Sequence, residues 1–119
     1  MSIASDRRPL SLSLLVRQNL DAFVDGLRAR FGARLRTVRL FGSYARGEAH
    51  EDSDVDCLVL LDRVEPADDR DVTNLAGDLT WQIGGVVISP LVMSEAAFAR
   101  WRTLERGAAL EIERDGIPL

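Results

Sequence analysis

Two aspartates in the segment 41–56, FGSYARGEAHEDSDVD, have the spacing of a cation site. Asp54 and Asp56 are two residues apart at the start of an apolar run that predicts a strand, so both carboxylates should point to one face of a sheet. Two carboxylates so close together repel each other unless a cation lies between them. Hard oxygen ligands suit Mg²⁺ or Mn²⁺, whose coordination shell water and substrate phosphates can complete.

The turn at the start of the same segment has residue types that suit an anion. Gly42 allows the backbone to approach a ligand closely. Ser43 offers a hydroxyl and an N–H group at a candidate helix N-terminus, and Arg46 adds a positive charge. We assign Ser53, directly before the first aspartate, to the same phosphate-binding group. Ligands for a cation facing ligands for phosphates are the components of nucleotidyl or phosphoryl transfer.

Each of these motifs also has a simpler interpretation. A lone Gly-Ser pair is most often an ordinary turn, and a lone Asp-x-Asp is most often the solvated start of a strand. Here Gly-Ser, Arg-Gly and Ser-Asp-x-Asp occur together within one short segment. This combination favours a functional site.

Hydrophobic periodicity predicts the helices that must position these residues. Apolar residues at steps of three and four from Pro9 to Phe31 predict an amphipathic helix, which Gly32 ends. The remaining predicted helices run from Pro66 to Gly84-Gly85, from a cap at Ser94 to Trp101, and from about Leu104 to Arg114.

Three apolar runs predict strands over residues 35–41, 54–62 and 86–93. The centre of the second run is apolar on both faces, which is typical of a central strand covered by helices on each side. Pro90 in the third run favours a sheet edge or a bulge, because proline has no N–H group for a ladder.

This order of elements predicts an α+β (α/β) fold with a small mixed sheet of about three strands packed with helices. If the Gly42-Ser43 turn is to meet Asp54 and Asp56, the first two strands must be antiparallel. The crossover helix then allows the third strand to lie parallel to the second. The chain has 119 residues and fits one domain over 9–119, after a flexible N-terminus of residues 1–8.

The charge of the chain is unevenly distributed. The formal net charge is −4, which argues against strong nucleic-acid binding. Residues 1–50 carry nine Arg and four acids, a net charge of +5, whereas residues 51–119 carry six Arg and fifteen acids, a net charge of −9. All fifteen basic residues are Arg, so chemistry that depends on a lysine is excluded.

Single residues exclude other classes of site. Cys57 is the only cysteine, so no internal disulfide can form, and its apolar surroundings predict a buried side chain. His50 is the only histidine, which excludes a multi-histidine zinc site and predicts a loop residue. No apolar span is long enough for a membrane helix, and no segment has the layout of a signal peptide. We therefore expect a cytoplasmic protein without a membrane partner.

Three aromatic residues leave two interpretations open. Trp81, Trp101 and Phe98 fall in predicted helices, where aromatic side chains usually belong to the core. They could instead form a surface for a partner protein.

The segment GSYARGEAHEDSDVD resembles the signature of the minimal nucleotidyltransferases, small members of the DNA polymerase beta-type nucleotidyltransferase superfamily. The order of elements in that family is similar to the order predicted for nearly the whole chain. The resemblance implies that Gly42 and Ser43 contact the nucleotide phosphates. It also implies that Asp54 and Asp56 are catalytic and hold a divalent metal.

The same resemblance implies a substrate and a partner. Many members of the family are antitoxins encoded beside a small helical HEPN-domain protein, and some transfer AMP from ATP to a tyrosine of that partner. The resemblance therefore implies ATP as substrate, Mg²⁺ or Mn²⁺ as cofactor, and a HEPN-type protein in a homo- or hetero-oligomeric assembly.

The chain departs from the family in its third predicted strand. There the family has a third catalytic carboxylate, but the segment VVISPLVMS has none, and no acid lies between Asp78 and Glu95. Ser89 occupies the position that would carry it, and serine is a weak metal ligand and not a base at neutral pH. Nucleotide transfer could then be slow or absent.

Three functions are therefore compared. The first is an active nucleotidyltransferase that modifies a partner protein. The second is a catalytically weak or inactive antitoxin that binds nucleotide or protein and neutralises a HEPN-type toxin by complex formation. The third, an enzyme acting alone on a small molecule, is disfavoured because the chain has no second domain to hold that substrate.

Overall fold

The computed structural model describes residues 12–50, 52–104 and 107–119. The predicted flexible segment 1–8 and the first residues of the predicted first helix, 9–11, lie outside the described residues. Helix α1 spans Leu14–Phe31. The side chain of Ser13 caps it by accepting a hydrogen bond from the N–H group of Val16, and Gly32 ends it with a positive φ of 55°.

Four strands within the described residues form one mixed sheet in the order β3-β2-β1-β4. Strands β1 and β2 are antiparallel, and β2 and β3 are parallel, as the position of the aspartates predicts. The elements that follow α1 are β1 (Leu35–Phe41), α2 (Ser43–Arg46), β2 (Val55–Leu61), α3 (Asp68–Gln82), β3 (Ile88–Ser94), α4 (Glu95–Thr103), α5 (Gly107–Asp115) and β4 (Ile117–Pro118).

The fourth strand corrects the prediction of about three strands. Strand β4 has two residues, Ile117 and Pro118, and pairs antiparallel with Leu40 and Arg39 of β1. The N–H group of Leu119 then donates to the carbonyl oxygen of Val38 at 2.9 Å. So short a strand has no hydrophobic pattern of its own, and only its pairing with β1 makes it a strand.

Strand β2 is covered by helices on both faces, as its apolar sequence predicts. Val55, Cys57, Val59 and Leu61 pack in the core cluster that also contains the buried residues of α1 and α3. Leu58 and Leu60 point the other way and pack with Ile112 of α5, with Phe98 and Trp101 of α4 beside them. The sheet therefore has an α1/α3 face and an α4/α5 face, each with its own hydrophobic core.

Strand β3 is an edge strand, as Pro90 predicts. The N–H group of Val55 donates to the carbonyl oxygen of Val87 at 2.8 Å. In a parallel pair every second residue directs its backbone groups to the neighbouring strand, so residues 87, 89 and 91 face β2. In that alternation the backbone groups of Pro90 point away from β2, to the free edge. The missing N–H group of proline therefore costs the sheet no hydrogen bond and leaves the edge a poorer template for another strand.

Cys57 lies in the middle of β2 and is fully buried. Burial raises the pKa of its thiol to about 12, and the negative charge of Asp56 adds to that effect. At neutral pH the thiol is protonated and out of reach of solvent, so it is a hydrophobic core residue and not a nucleophile.

A buried carboxylate joins the first strand pair to α3. Asp68 is 4% exposed and accepts a hydrogen bond from Nη2 of Arg34 at 2.6 Å. The same carboxylate accepts from the N–H group of Glu65 at 2.7 Å, and Arg34 also pairs with Asp62 at the end of β2. Asp68 thus ties the start of α3 to the start of β1, which is a larger role than the predicted favourable charge in the first helical turn.

We predict that Asp68→Asn destabilises the fold in a pH-dependent way. The hydrogen bond from Arg34 holds the pKa of Asp68 below its ordinary value, against the opposing effect of burial. The ionised form therefore stabilises the folded state above about pH 4, and this stabilisation is lost as the pH falls through the folded-state pKa. At pH 7 the Tm of Asp68→Asn should be several degrees below that of the wild type, and the difference should shrink below about pH 4.

The adjacent Asp69 supplies the matched control, because it lies in the same helical turn and is exposed. Asp69→Asn should change the Tm little at either pH. An equal loss for both variants, or a difference that pH does not change, would contradict the role assigned to Asp68.

Candidate active site

The C-terminal end of β1 and the N-terminal ends of β2 and β3 lie side by side at one end of the sheet. Phe41, the last residue of β1, pairs with Asp56, the second residue of β2. Asp56 also pairs with Ser89, the second residue of β3. The pairing places the Gly42-Ser43 turn, the aspartate and Ser89 side by side, so the structure brings together residues that are far apart in the sequence.

Gly42 is in contact with Asp56 and has a conformation that other residues avoid. Its φ is 75° and its ψ is −155°. A Cβ atom at this position would lie 2.3 Å from Oδ2 of Asp56. A side chain at position 42 would therefore strain the backbone and also displace the carboxylate.

The turn continues directly into the short helix α2. The carbonyl oxygen of Gly42 accepts from the N–H groups of Ala45 at 3.1 Å and Arg46 at 3.2 Å. Among the described residues, the N–H groups of Ser43 and Tyr44 donate no hydrogen bond. They remain available to a ligand that approaches the carboxylate of Asp56.

The aspartate pair combines an exposed carboxylate and a partly buried one. Asp54 is exposed and directly precedes β2, whereas Asp56 is intermediate in exposure. Burial raises the pKa of Asp56, the negative charge of Asp54 raises it further, and the positive charge of Arg46 opposes both. An arrangement that disfavours the ionised pair is one that a bound cation would stabilise.

Arg46 is the positive charge of the turn. It ends α2, and its Nε atom lies 3.3 Å from Oε2 of Glu48. Its positive charge lowers the pKa of Asp56, against the larger effects of burial and of Asp54. The ion pair with Glu48 is exposed, so it is weak and leaves Arg46 free to bind an anion.

Ser53 and His50 form a compact turn before the aspartates. The hydroxyl of Ser53 accepts from the N–H group of His50 at 3.0 Å, and the N–H group of Ser53 donates to the carbonyl oxygen of His50 at 2.9 Å. His50 is exposed and in a loop, as predicted. The structure thus gives the Ser53 hydroxyl a local partner, and its assignment to phosphate binding stays a prediction.

Val87 is a residue of the site that the sequence did not indicate. The pairing of Val55 with Ile88 places Val87 beside Asp54, and its side chain is 51% exposed. Ser89 is exposed beside Asp56. Val87, directly before β3, and Ser89, within β3, therefore place no charge beside the aspartate pair. Among the described residues no group of three or more His, Cys, Asp or Glu side chains could hold a metal ion.

The cavities of the molecule differ in their relation to this site. A recess of about 290 Å³ is lined by Asp52, Asp54, Thr80 and Val87 with their neighbours. A larger cavity of about 590 Å³ lies between α1, β1 and β4 and includes no residue of the site. The chemistry of the carboxylates, not cavity size, therefore identifies the candidate site.

Residues 20–106 match the family model described as a nucleotidyltransferase domain. The match covers most of the chain and includes every residue assigned to the site. The chain belongs to this family of nucleotidyltransferase domains.

The relatives and solved structures that are similar to this chain include protein adenylyltransferases and a minimal nucleotidyltransferase, which confirms the resemblance stated from the sequence. The chain is 40% identical over 76 residues to MJ0604 of Methanocaldococcus jannaschii, an inferred protein adenylyltransferase, and this covers 64% of the chain and 71% of the relative. It is 53% identical over 45 residues to the protein adenylyltransferase MntA of Thermococcus cleftensis, covering 38% of the chain and 43% of the relative.

Among solved structures, one assigned as a minimal nucleotidyltransferase has a TM-score of 0.57 and 33% identity, covering 93% of this chain and 100% of that one. A structure of a toxin–antitoxin with AMP-PNP has a TM-score of 0.53 and 21% identity, covering 82% of this chain and 69% of that one. The second likeness shows a shared fold.

We predict that Gly42→Ala destabilises the protein more than Gly47→Ala and that the excess depends on Asp56. Gly47 has a similar φ of 72° but no atom within 4 Å of a Cβ at its position. Each variant should therefore lose about 1–3 kcal/mol through backbone strain, but only Gly42→Ala also clashes with the carboxylate.

The measurement is a double-mutant cycle of unfolding free energies in chelator. Asp56→Ala should remove the excess cost of Gly42→Ala and leave the cost of Gly47→Ala unchanged. Additive effects of Gly42→Ala and Asp56→Ala would show that the two residues do not depend on each other.

Proposed function

We propose that the protein transfers AMP from ATP to a hydroxyl group of a partner protein and acts as an antitoxin. The observation that carries this proposal is the contact of the Asp56 carboxylate with the Gly42 turn, with Asp54 two residues earlier in the chain. Membership of the nucleotidyltransferase-domain family supports it. The names of two relatives, which are protein adenylyltransferases, support it further.

The donor set fits a divalent cation such as Mg²⁺ or Mn²⁺. Asp54 and Asp56 supply hard oxygen ligands two residues apart. Their negative charges repel each other, and a cation between them would remove that repulsion. The absence of a side chain on Gly42 leaves the Asp56 carboxylate open next to two free N–H groups. When bound, the cation would neutralise charge that develops on the phosphates during transfer.

The chain itself supplies the binding groups for the triphosphate. The N–H groups of Ser43 and Tyr44 and the hydroxyl of Ser43 would donate hydrogen bonds to phosphate oxygens, and Arg46 would supply a fixed positive charge. In the reaction the acceptor oxygen bonds the α-phosphorus of ATP, pyrophosphate leaves and the hydroxyl proton passes to a base. The role of this chain is to hold the phosphates in line for that attack.

A small all-helical HEPN-type protein is the partner that we propose as acceptor. A solved toxin–antitoxin of related fold was obtained with the ATP analogue AMP-PNP, which supports a nucleotide at such a site in an assembly of this kind. A cytoplasmic location belongs to the same proposal. The described part of the chain contains no helix that is both long and apolar enough to cross a membrane.

A second function is favoured by one specific observation. Val87, directly before β3, and Ser89 of β3 lie beside the aspartates and carry no carboxylate that could take the proton of the acceptor hydroxyl. In this alternative the protein binds nucleotide and partner, and neutralises a toxin by complex formation with slow transfer or none.

The proposal predicts that Asp54→Asn and Asp56→Asn abolish Mg²⁺ binding and AMP transfer. Transfer of labelled AMP to the partner should fall by about a hundredfold or more, because each variant removes a carboxylate that acts on developing charge. In chelator the Tm of Asp56→Asn should equal or exceed that of the wild type, because the variant removes a partly buried charge. The rise in Tm that Mg²⁺ gives the wild type should disappear in both variants.

Asp52→Asn is the matched control, because Asp52 is an exposed carboxylate of the same loop and lies outside the pair. It should leave Mg²⁺ binding near the wild-type value. Unchanged metal affinity in Asp54→Asn and Asp56→Asn would remove the assignment of the metal site. Metal binding without transfer by the wild type would favour the second function.

We further predict that Ser89→Asp increases both metal affinity and transfer. A carboxylate at position 89 would lie beside Asp56 on the same face of the sheet, as a third ligand or as a base. Mg²⁺ binding should tighten by roughly tenfold, equivalent to one added favourable interaction. Without metal the third charge adds repulsion, so the Tm should be lower in chelator and recover with Mg²⁺.

Ser89→Asn is the control for size, and it should reproduce none of these effects. If the wild type transfers AMP rapidly and Ser89→Asp does not improve it, position 89 is not where this site needs a third carboxylate. Val87→Asp, which places the charge beside Asp54, would then be tested for transfer. Faster transfer would show that the third carboxylate is needed at position 87, and unchanged transfer would show that the site needs none.

A further inference from the structure

Trp81 is the most exposed large apolar side chain near the candidate active site. It lies at the end of α3 and is 90% exposed. The other tryptophan, Trp101, packs edge-to-face against Phe98, with ring centroids 6.1 Å apart, in the core of the α4/α5 face. Trp101 therefore fits the interpretation as a core residue, whereas an exposed tryptophan contributes nothing to the core and marks a surface for recognition.

Trp81 belongs to an apolar surface around the Gly84-Gly85 turn. Leu15 of α1 lies against this turn, since a Cβ at Gly85 would be 2.0 Å from Cδ2 of Leu15. Asn19 fixes the same turn by donating to the carbonyl oxygen of Gly84 at 3.4 Å. Leu15 contacts this turn, and Trp81 and Val87 flank it in the sequence; all three are exposed, and we call them the Trp81 surface.

The Trp81 surface is continuous with the candidate active site. Val87 lies beside Asp54 in the pairing of β2 with β3. Val87, Gly85 and Thr80, the residue before Trp81, line the same recess as Asp52 and Asp54. A molecule bound on Trp81 would therefore lie next to the recess that contains Asp54.

Charge decides which molecule fits there. The recess contains Asp52 and Asp54 and no cationic side chain, and Asp78 lies one helical turn before Trp81. Within the described ranges, none of these three carboxylates has a salt-bridge partner. Without a bound metal these carboxylates would repel a triphosphate, and its own binding groups, Ser43 and Arg46, follow β1 on the other side of Asp56. A second copy of the chain would place the same acidic residues against each other in a two-fold contact.

We propose that the Trp81 surface binds the acceptor protein, through an apolar segment flanked by Arg or Lys side chains, and so places its hydroxyl group at the aspartate pair. This inference rests on the proposed function. The indole buries in the apolar segment, and the basic side chains pair with Asp52 and Asp78. The acceptor thus approaches from the β3 side while the phosphates are held on the β1 side, which is the geometry that an in-line attack requires.

The experiment compares Trp81→Ala with Leu104→Ala in binding to the proposed small all-helical acceptor protein, purified separately. Leu104 is 66% exposed and follows α4, on the opposite face of the sheet from α3, so it is a matched apolar control. We expect Trp81→Ala to weaken partner binding by about thirtyfold or more, and Leu104→Ala by less than about twofold. Neither variant should change the affinity for ATP and Mg²⁺, measured separately by calorimetry.

Partner binding by the wild type should also weaken as ionic strength rises. Equal partner binding by Trp81→Ala and the wild type would overturn this inference and leave the proposed function intact. Weaker ATP binding by Trp81→Ala would assign the surface to the nucleotide, and a change from dimer to monomer with unchanged partner binding would assign it to a second copy; either result overturns the inference. If no protein binds the wild type, the proposed partner and this inference both fail.

Discussion

The pairing of β2 with a neighbour on each side is the constraint on which the rest of the structure depends. Strand β2 is hydrogen-bonded to β1 on one side and to β3 on the other. From Cys57 to Leu61, helices also bury both of its faces. Within β2, only Asp56 is not buried. The same pairing that buries the strand therefore places Ser89 of β3 on one side of Asp56 and the turn after β1 on the other.

At this end of the sheet, the candidate site requires two features that lower the stability of the fold. Gly42 loses conformational entropy when it folds into a positive φ, and Asp56 loses hydration when it becomes partly buried. Neither residue improves the core. Two other parts of the fold offset this loss of stability. They are the hydrophobic clusters on the two faces of the sheet and the ion pair of Asp68 with Arg34 at the opposite end of β2. A costly turn retained by a well-packed frame is typical of a site that is selected for chemistry.

Local signals in the sequence were sufficient for much of this architecture. The bounds of β1, the double burial of β2, the edge position of Pro90 and the helix stop at Gly32 each follow from periodicity or from the chemistry of one residue. The direction of the strands followed from the requirement that the turn meet the aspartates. The choice of Ser89 came from the family resemblance, and the register of β3 with β2 places it beside Asp56.

Features that depend on tertiary pairing were not accessible in this way. Strand β4 exists only because residues 117–118 meet β1, and no pattern in two residues can show that. The partner of Asp68 is Arg34, which is 34 residues away, so its role appears only in the folded chain. Val87 lacks a charge, so no chemical signal drew attention to it, and the exposure of Trp81 depends on which side of α3 the neighbouring elements leave uncovered.

The buried thiol of Cys57 gives the protein a practical property. Burial raises the pKa of this thiol to about 12, so it is protonated at pH 7, and it is enclosed in the core of the sheet. No other cysteine is present in the sequence. A cysteine introduced at any exposed position would thus be the only thiol available to maleimide dyes or spin labels. The wild-type chain already serves as the unreactive background for distance measurements by fluorescence or electron paramagnetic resonance.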